Sequence, residues 1–226
     1  MSVMDRRLST LAKAIACDER GAVLVEVAVV MTIMLVFLLG SIEFLFVFYQ
    51  RNAAAKAVQI GLRLAAVSDP VASGLNGLSA TVLGPRVPEG SAMPDFSVTC
   101  DGGTSRCTCA SGLCPAELTY NAAAMNMLVF GRGSSSCGDA RSFYDSGMCD
   151  IFVRITPANV VITYTQSGLG FAGRPGGPVP TITISLKDLR LQFFFLRGLA
   201  AFDDLQMPPL TTSMTAEDLS SRAPTF

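Results

Sequence analysis

The chain has 226 residues, half of them hydrophobic, and a formal net charge of −1. That length leaves room for one domain of roughly 150 residues beyond a membrane segment, and the balanced charge argues against a nucleic-acid partner. Histidine, the commonest general base and metal ligand, is absent. No constellation of carboxylates, lysine or cysteine replaces it, so the sequence predicts no enzyme, cofactor, metal site or small-molecule substrate.

The first predicted element is a membrane-spanning helix. Residues 22–49 contain only two charged side chains, Glu26 and Glu43, and a span needs about 20 apolar residues. The run exceeds the apolar core of a removable secretory signal, which is usually about 7–15 residues. Four basic residues precede the span and three follow it before residue 67, so charge sets the orientation only weakly. A plain uncleaved single-pass anchor would explain this segment.

Helical character is predicted to continue beyond the span, to residue 67. Polar side chains recur at intervals of four, three and four residues, at Asn52, Lys56, Gln59 and Arg63. That spacing places the polar side chains in one stripe along the helix, and the rest of the helix surface is apolar. Pro70 disfavours helix at the preceding residue. A helix over residues 22–67 would be about 69 Å long, so its outer half is expected to pack on the rest of the chain.

The two carboxylates of this helix differ in position. Glu26 lies about one turn into the span, where a charged side chain is costly and predicts a partner. Glu43 lies about 32 Å from Ala22 along the helix, near the far interface, where an acid is expected to reach polar headgroups. They lie roughly 100° apart around the helix and therefore do not form one site.

The N-terminal motifs resemble a known family. They comprise Arg20-Gly21-Ala22-Val23-Leu24-Val25-Glu26, the apolar run, Gly40-Ser41-Ile42-Glu43-Phe44, and Tyr49-Gln50-Arg51-Asn52 with the residues up to Ala65. Residues 15–67 resemble the TadE-like proteins, minor pilin-like components of tight-adherence (Tad) pilus systems related to type IVb pilins. The remainder of the chain resembles them only loosely.

The resemblance implies cleavage after Gly21 by a membrane aspartyl prepilin peptidase. Gly21 and Ala22 would then be the processing site, and Glu26 the assembly contact that neutralises the α-amino group of a neighbouring subunit. Glu43 is a candidate for a secondary intramembrane contact. The implied partners are the inner membrane, the prepilin peptidase, other pilins and pilus assembly proteins. The rival hypothesis is an uncleaved, membrane-anchored envelope binding module with a disulfide-rich external domain.

The chain has seven cysteines, and six of them lie in the predicted external domain. Cys17 lies in the leader, and the other six are disulfide candidates: Cys100, Cys107, Cys109, Cys114, Cys137 and Cys149. Six cysteines allow 15 pairings and indicate an oxidising compartment. Cys137 with Cys149 is the favoured single pair, because it closes a polar loop. A zinc site in the first four cysteines is the alternative, although their spacing lacks paired C-x-x-C knuckles.

The external elements are predicted in chain order. Residues 68–149 are expected to be mostly loops, with a strand at 96–100 and a helical turn within 118–130. Five segments are predicted as strands or, for the last, as a candidate strand: 151–156 and 160–164 as a hairpin, then 181–186, 191–196 and 211–215. The glycines of 131–133 and 168–170 are interpreted as turns rather than phosphate cradles. Phe193-Phe194-Phe195 is interpreted as part of a core strand rather than as an adhesive surface patch.

The predicted fold class is α+β. A long N-terminal transmembrane helix precedes an antiparallel β-sheet domain that is pilin-like and stapled by disulfides. The predicted organisation is a cytoplasmic leader (1–21), a helix (22–67) with its span at 22–49, and an external domain (68–226). That domain divides into a Gly/Ser/Cys-rich region (68–149), a β-rich region (150–215) and a tail (216–226). The hypothesis is a bacterial inner-membrane protein with a periplasmic C-terminal domain, retained there or incorporated into an extracellular pilus.

Overall fold

The computed structural model describes residues 19–140, 142–195, 205–216 and 219. These residues fall into two compact units. The anchor unit comprises the described residues up to 46 together with 193–195, and the sheet unit comprises residues 47–192 and the described residues from 205 onward. The predicted leader up to residue 18, Cys17, Leu196 and nearly all of the predicted tail lie outside the described residues.

The long N-terminal helix is confirmed. Helix α1 extends from Glu19 to Ala66 without interruption, about 72 Å at 1.5 Å per residue. Within the described part of the chain, its segment Gly21–Ala66 alone is long and apolar enough to cross a membrane. An 18-residue window of that segment has a mean hydropathy of 2.8, and none of the window is buried. By length and composition, this helix can anchor the chain in a membrane.

The outer part of α1 is amphipathic, as the stripe of polar residues predicts. In the sheet unit its apolar side chains are buried at Ala54, Val58, Leu62 and Ala65. The polar stripe stays exposed at Asn52, Lys56, Gln59 and Arg63. Burying the apolar face removes it from water at about 25 cal/mol per Å², so this part of the helix belongs to the core of the sheet unit.

Short strands and helices alternate after α1. The described strands are β1 (Ala72–Ser73), β2 (Phe96–Asp101), β3 (Arg106–Gly112), β4 (Thr119–Tyr120), β5 (Val160–Gln166), β6 (Pro180–Leu186), β7 (Arg190–Leu191), β8 (Leu205–Gln206) and β9 (Leu210–Thr215). The short α-helices are α2 (Leu78–Thr81), α3 (Ala122–Phe130) and α4 (Met148–Ile151), and 3₁₀ turns occupy Leu75–Gly77, Phe143–Asp145 and Pro157–Asn159. The structure therefore confirms the α+β class.

The main sheet is antiparallel and has the order β3-β2-β5-β6-β9. Two further antiparallel pairs, β1 with β4 and β7 with β8, lie outside it. Four of its strands match predicted segments, at 96–100, 160–164, 181–186 and 211–215. In β2, β5 and β6 residues alternate between buried and partly exposed, the pattern of a sheet with one face on the core.

The solvent face of this sheet is lined with hydroxyl side chains. One row crosses all five strands in register, through Thr108, Thr99, Thr163, Thr183 and Ser213. A second row runs through Ser111, Ser97, Thr165, Thr181 and Thr215. The hydroxyl oxygens of Thr99 and Thr163 lie 3.0 Å apart. Threonine suits such a face because its branched Cβ favours the strand and its hydroxyl stays solvated.

The three disulfides are Cys100–Cys107, Cys109–Cys114 and Cys137–Cys149. The favoured pair, Cys137 with Cys149, is therefore confirmed, and the zinc alternative is wrong because these cysteines bind one another. Cys100 and Cys107 are direct cross-strand partners in the β2–β3 hairpin. The three disulfides thus constrain residues 100–149, a stretch in which the sequence predicts few helices or strands.

Two strand predictions are wrong. Residues 151–156 do not form a strand: α4 ends at Ile151 and the Pro157–Asn159 turn follows. The Asp150 carboxylate accepts the N–H groups of Gly138 at 2.6 Å and Gly147 at 2.8 Å, and Cys149 is bonded to Cys137. These tertiary contacts outweigh the β-propensity of the local residues.

The strand predicted at 191–196 is also absent over its described residues beyond Leu191, where β7 ends. The Phe193-Phe194-Phe195 cluster does not form a core strand. Phe194 is 64% exposed and Phe195 is 44% exposed. The backbone amides of Phe194 and Phe195 bind a side chain of α1 instead of a neighbouring strand.

Residues 132 and 133 form a turn, as predicted, whereas the backbone of 168–170 bends without forming one. Gly131 and Gly133 have φ values of 90° and 68°, and Gly168 and Gly170 have values of 79° and 80°. All four lie in the left-handed region that glycine adopts readily. A Cβ at Gly131 would lie 2.0 Å from the carbonyl oxygen of Asp145, so backbone packing alone requires glycine there.

A buried tyrosine gives the first testable consequence of this fold. The Tyr164 hydroxyl is fully buried and accepts the N–H of Val71 at 3.0 Å, and burial raises the pKa of Tyr164 well above its ordinary value. Tyr164→Phe leaves that amide unpaired in the core, so we expect a loss of about 1–3 kcal/mol in the free energy of unfolding.

Denaturant titration of the full chain in detergent measures this loss, with resistance to proteolysis reporting the folded fraction at each denaturant concentration. Tyr120→Phe is the matched control, because Tyr120 is only partly buried and its replacement should change the free energy by less than about 0.5 kcal/mol. Equal stabilities for the two variants would contradict a structural role for the Tyr164 hydroxyl.

Candidate functional site

The predicted processing site lies on the exposed start of α1. Gly21 and Ala22 are solvent-exposed, and a Cβ placed at Gly21 would have no neighbouring atom within 4 Å. Glu26 follows Ala22 by four residues, about 6 Å along the helix and on the same face. The structure therefore brings Ala22 and Glu26 together on one exposed helix face.

Glu26 differs from the other polar side chains of the apolar run. Between residues 22 and 42 the polar side chains are those of Glu26, Thr32 and Ser41. The Thr32 hydroxyl donates to the carbonyl of Ala28 at 2.8 Å, and that of Ser41 donates to the carbonyl of Phe37 at 2.9 Å. Such bonds to the preceding turn satisfy a hydroxyl within its own helix. Glu26 is exposed and has no hydrogen-bond or ion-pair partner within the described part of the chain.

Glu43 has the opposite environment within the anchor unit. Its side chain is only 1% exposed. Oε1 accepts the backbone N–H of Phe194, and Oε2 accepts the N–H of Phe195 at 2.7 Å. A carboxylate that accepts two successive amides forms charge-assisted bonds of the stronger class. Glu43 therefore binds backbone amides of its own chain and leaves almost none of its side chain exposed.

An aromatic contact accompanies this carboxylate. The rings of Phe46 and Phe194 lie with their centroids 4.8 Å apart at 61°, an edge-to-face arrangement. No residue pattern in the sequence indicates these contacts of Glu43, Phe46, Phe194 and Phe195, because a carboxylate that binds distant backbone amides leaves no motif.

Gln50, seven residues after Glu43, makes a comparable contact within the sheet unit. Its Nε2 donates to the carbonyl of Gln192 at 3.0 Å, and its Oε1 accepts the N–H of Gln192 at 3.1 Å. Nη1 of Arg154 donates to the same Oε1 at 3.0 Å and to the carbonyl of Arg190 at 2.9 Å. Both polar atoms of the buried amide are satisfied. Gln50 is therefore a structural residue, which the polar stretch Tyr49-Gln50-Arg51-Asn52 could have signalled.

An ion pair in the sheet unit is also structural. Nζ of Lys187 lies 2.6 Å from the Asp101 carboxylate. Desolvation raises the pKa of Asp101, but hydrogen bonds from Lys187 and from the N–H of Gly103 outweigh it and hold the pKa below its usual value. The pair joins the end of β2 to the residue after β6, and both side chains are partly exposed, so its contribution to stability is small.

Among the residues that the structure describes, no group of three or more cysteine or carboxylate side chains is placed to hold a metal ion. The six cysteines predicted as disulfide candidates are all paired. What distinguishes the described residues chemically is therefore the contrast on α1, between an unpaired acid near its start and a satisfied acid further along.

The fold and this helix define a class of protein: one with a long, apolar, membrane-competent N-terminal helix and a disulfide-stapled α+β domain. Residues 21–63 match the family model of the TadE-like proteins, which confirms the resemblance seen in the sequence. The matched segment contains Gly21, Glu26, Glu43 and Gln50. The match covers 43 of the 226 residues, all of them within α1. No curated protein and no solved structure matches the chain.

Proposed function

We propose that the chain is a TadE-like minor pilin or pilus assembly component of a Tad type IVb pilus system. In this proposal a prepilin peptidase cuts after Gly21, and the mature chain begins at Ala22. The observation that carries the proposal is the exposed Gly21–Ala22 bond followed, one helical turn later, by an acid. Among the residues that the structure describes, Glu26 has no partner, whereas the hydroxyls of Thr32 and Ser41 in the same apolar run are bonded. The role is structural rather than catalytic.

Cleavage would create a positively charged α-amino group on Ala22, near the carboxylate of Glu26. The new α-amino group of Ala22 and the carboxylate of Glu26 would lie about 6 Å apart along one face of α1. Two parallel helices offset by about that distance could place the Glu26 carboxylate of one beside the α-amino group of the other. In an apolar bundle a paired acid fixes the register between subunits, whereas an unpaired one is costly.

The disulfides support the compartment that this proposal assigns. In the proposal, the leader holds the N-terminus in the cytoplasm and the C-terminal domain lies in the periplasm, where disulfides persist. The inner membrane, the prepilin peptidase and other pilins or assembly proteins are the proposed partners. After cleavage the helix is free to leave the bilayer and enter a bundle.

A second candidate is the uncleaved, membrane-anchored binding module. The observation that favours it is the solvent face of the main sheet, where two rows of hydroxyl side chains cross all five strands. A face of threonine and serine side chains offers many hydrogen bonds to a polar partner surface. This candidate requires no processing, so the chemical N-terminus separates it from the first.

We therefore expect mass spectrometry of the protein purified from its native host to find a chain that begins at Ala22. Gly21→Val should block this cleavage, because the side chain adds bulk at the scissile bond without a clash inside the protein. Gly40→Val is the matched control, since a Cβ at Gly40 also meets no atom within 4 Å, and it should be processed normally. A native chain that begins at Met1 or Ser2 would contradict the proposal.

A further inference from the structure

We propose that Phe194 and Phe195 form an aromatic anchor in the bilayer interface, which the Glu43 carboxylate holds beside α1. The proposed occupant of their exposed surface is lipid, at the boundary between headgroups and acyl chains. The proposal requires that α1 lies in a membrane. It requires neither cleavage at Gly21 nor assembly into a pilus, so its test stands apart from that of the proposed function.

The first support is exposure. Phe194 and Phe195 are 64% and 44% exposed and are neighbours in the chain. They belong to the same compact unit as the apolar half of α1, and Phe44 on that helix is exposed as well. An aromatic ring buries about 150–250 Å² when it is covered, so exposing several of them to water is unfavourable. Aromatic side chains are enriched where a protein crosses the membrane interface.

The second support is depth. Glu43 lies 21 residues after Ala22, about 32 Å along the helix, and the hydrocarbon core of a bilayer is about 30 Å thick. A span that begins near Ala22 therefore reaches its far boundary near Glu43. Because the amides of Phe194 and Phe195 bind Glu43 directly, the two rings are held at that level.

The third support is the satisfaction of the backbone. Backbone N–H groups at membrane depth that no helix or strand pairs need other partners, because lipid supplies none. Glu43 accepts the N–H groups of Phe194 and Phe195, which removes this obstacle for those two groups. The same bonds satisfy the carboxylate, which would otherwise be costly near the hydrocarbon.

The chain has no tryptophan, so Phe194→Trp creates a single fluorophore for a direct test. The full chain carrying this substitution is placed in phosphatidylcholine vesicles whose acyl chains are brominated either near the carbonyl end or near the methyl end. We expect quenching at least about twofold stronger from the shallow bromines than from the deep ones, since the ring lies at the interface. Phe171→Trp is the control: Phe171 belongs to the sheet unit and is 41% exposed. It should respond to aqueous iodide and not to bromine.

The role of Glu43 is tested by adding Glu43→Gln to the Phe194→Trp chain. Loss of the charged acceptor should release the segment, so quenching by shallow bromines should fall and quenching by iodide should rise, each by about twofold or more. If that double variant does not fold, Phe195→Trp with Glu43 intact gives an independent depth, which should match that of Trp at 194.

Two results would overturn the proposal. One is quenching of the Phe194→Trp chain by iodide as strong as that of the Phe171→Trp chain, with none by bromolipid. The other is bromolipid quenching that is weak at high protein density and grows on dilution with lipid. That second pattern would show that another copy of the chain covers the aromatic surface.

Discussion

Replacing both Cys137 and Cys149 with alanine is expected to lower the free energy of unfolding of the sheet unit by about 3 kcal/mol. The bond joins residues 12 apart in sequence, and a loop of that size loses much of its unfolded-state entropy when it is closed. Cys149 is fully buried in α4. Its neighbour Met148 packs so closely on α1 that a Cβ at Gly61 would lie 2.4 Å from the Met148 sulfur. Loss of the bond therefore loosens an element that packs against α1.

Cys109 and Cys114 provide the matched control. They are 5 residues apart, and their removal should cost about 2 kcal/mol because the closed loop is shorter. Pulse proteolysis of the full chain in detergent, across a urea series, measures both double variants. A larger loss for the 109–114 pair than for the 137–149 pair would contradict the expectation that the bond closing the longer loop stabilises the sheet unit more.

The sequence predicted most accurately those elements that local patterns determine. Helix α1 was predictable because 28 residues with two charges, followed by a polar stripe at helical spacing, have no other regular interpretation. Strands β5 and β6 were predictable from runs of branched residues. Cys137 and Cys149 were predictable as a pair because the loop between them is short and polar.

The wrong predictions share a cause. Residues 151–156 have β-propensity, but a disulfide at Cys149 and two hydrogen bonds to Asp150 fix the preceding helix and the turn. Phe193-Phe194-Phe195 has the composition of a core strand, yet the amides of Phe194 and Phe195 bind Glu43 on α1, about 150 residues earlier in the chain. Tertiary contacts override local preference in both cases, and the hydrogen bonds to Asp150 and Glu43 leave no residue pattern in the sequence.

The sequence is equally limited in assigning function to the two glutamates of α1, because it does not reveal their different environments. Both are acids in one apolar run, and the sequence distinguishes them only by position. The structure distinguishes them chemically: Glu43 is buried with two amide partners, whereas Glu26 is exposed and has no partner within the described residues. A carboxylate that is already satisfied within its own chain is poorly suited to bind a neighbouring subunit. Glu26 is therefore the better candidate for an assembly contact.

Glu26→Ala is expected to leave expression and cleavage largely intact but to reduce incorporation into pili by at least about a hundredfold. The reason is that removing one member of a buried ion pair costs about 3–5 kcal/mol, because the other charge is left unpaired, and each 1.4 kcal/mol is about a tenfold change in an equilibrium. Glu26→Gln, which keeps the shape and loses the charge, should have nearly the same effect. Sheared pili and membrane fractions, compared by immunoblot, measure the ratio of incorporated to retained protein.

Thr32→Val is the matched control on the same helix. The Thr32 hydroxyl is already bonded to the carbonyl of Ala28, so its removal should leave incorporation unchanged within about twofold. Mass spectrometry of the N-terminus accompanies each variant and separates processing from assembly. Normal incorporation of the Glu26→Ala variant into pili would contradict the proposed role of Glu26 as an assembly contact. A failure of cleavage in that variant would instead place Glu26 in recognition by the peptidase. Only a chain that is cut at Ala22 and then excluded from the pilus fits a carboxylate that pairs between subunits.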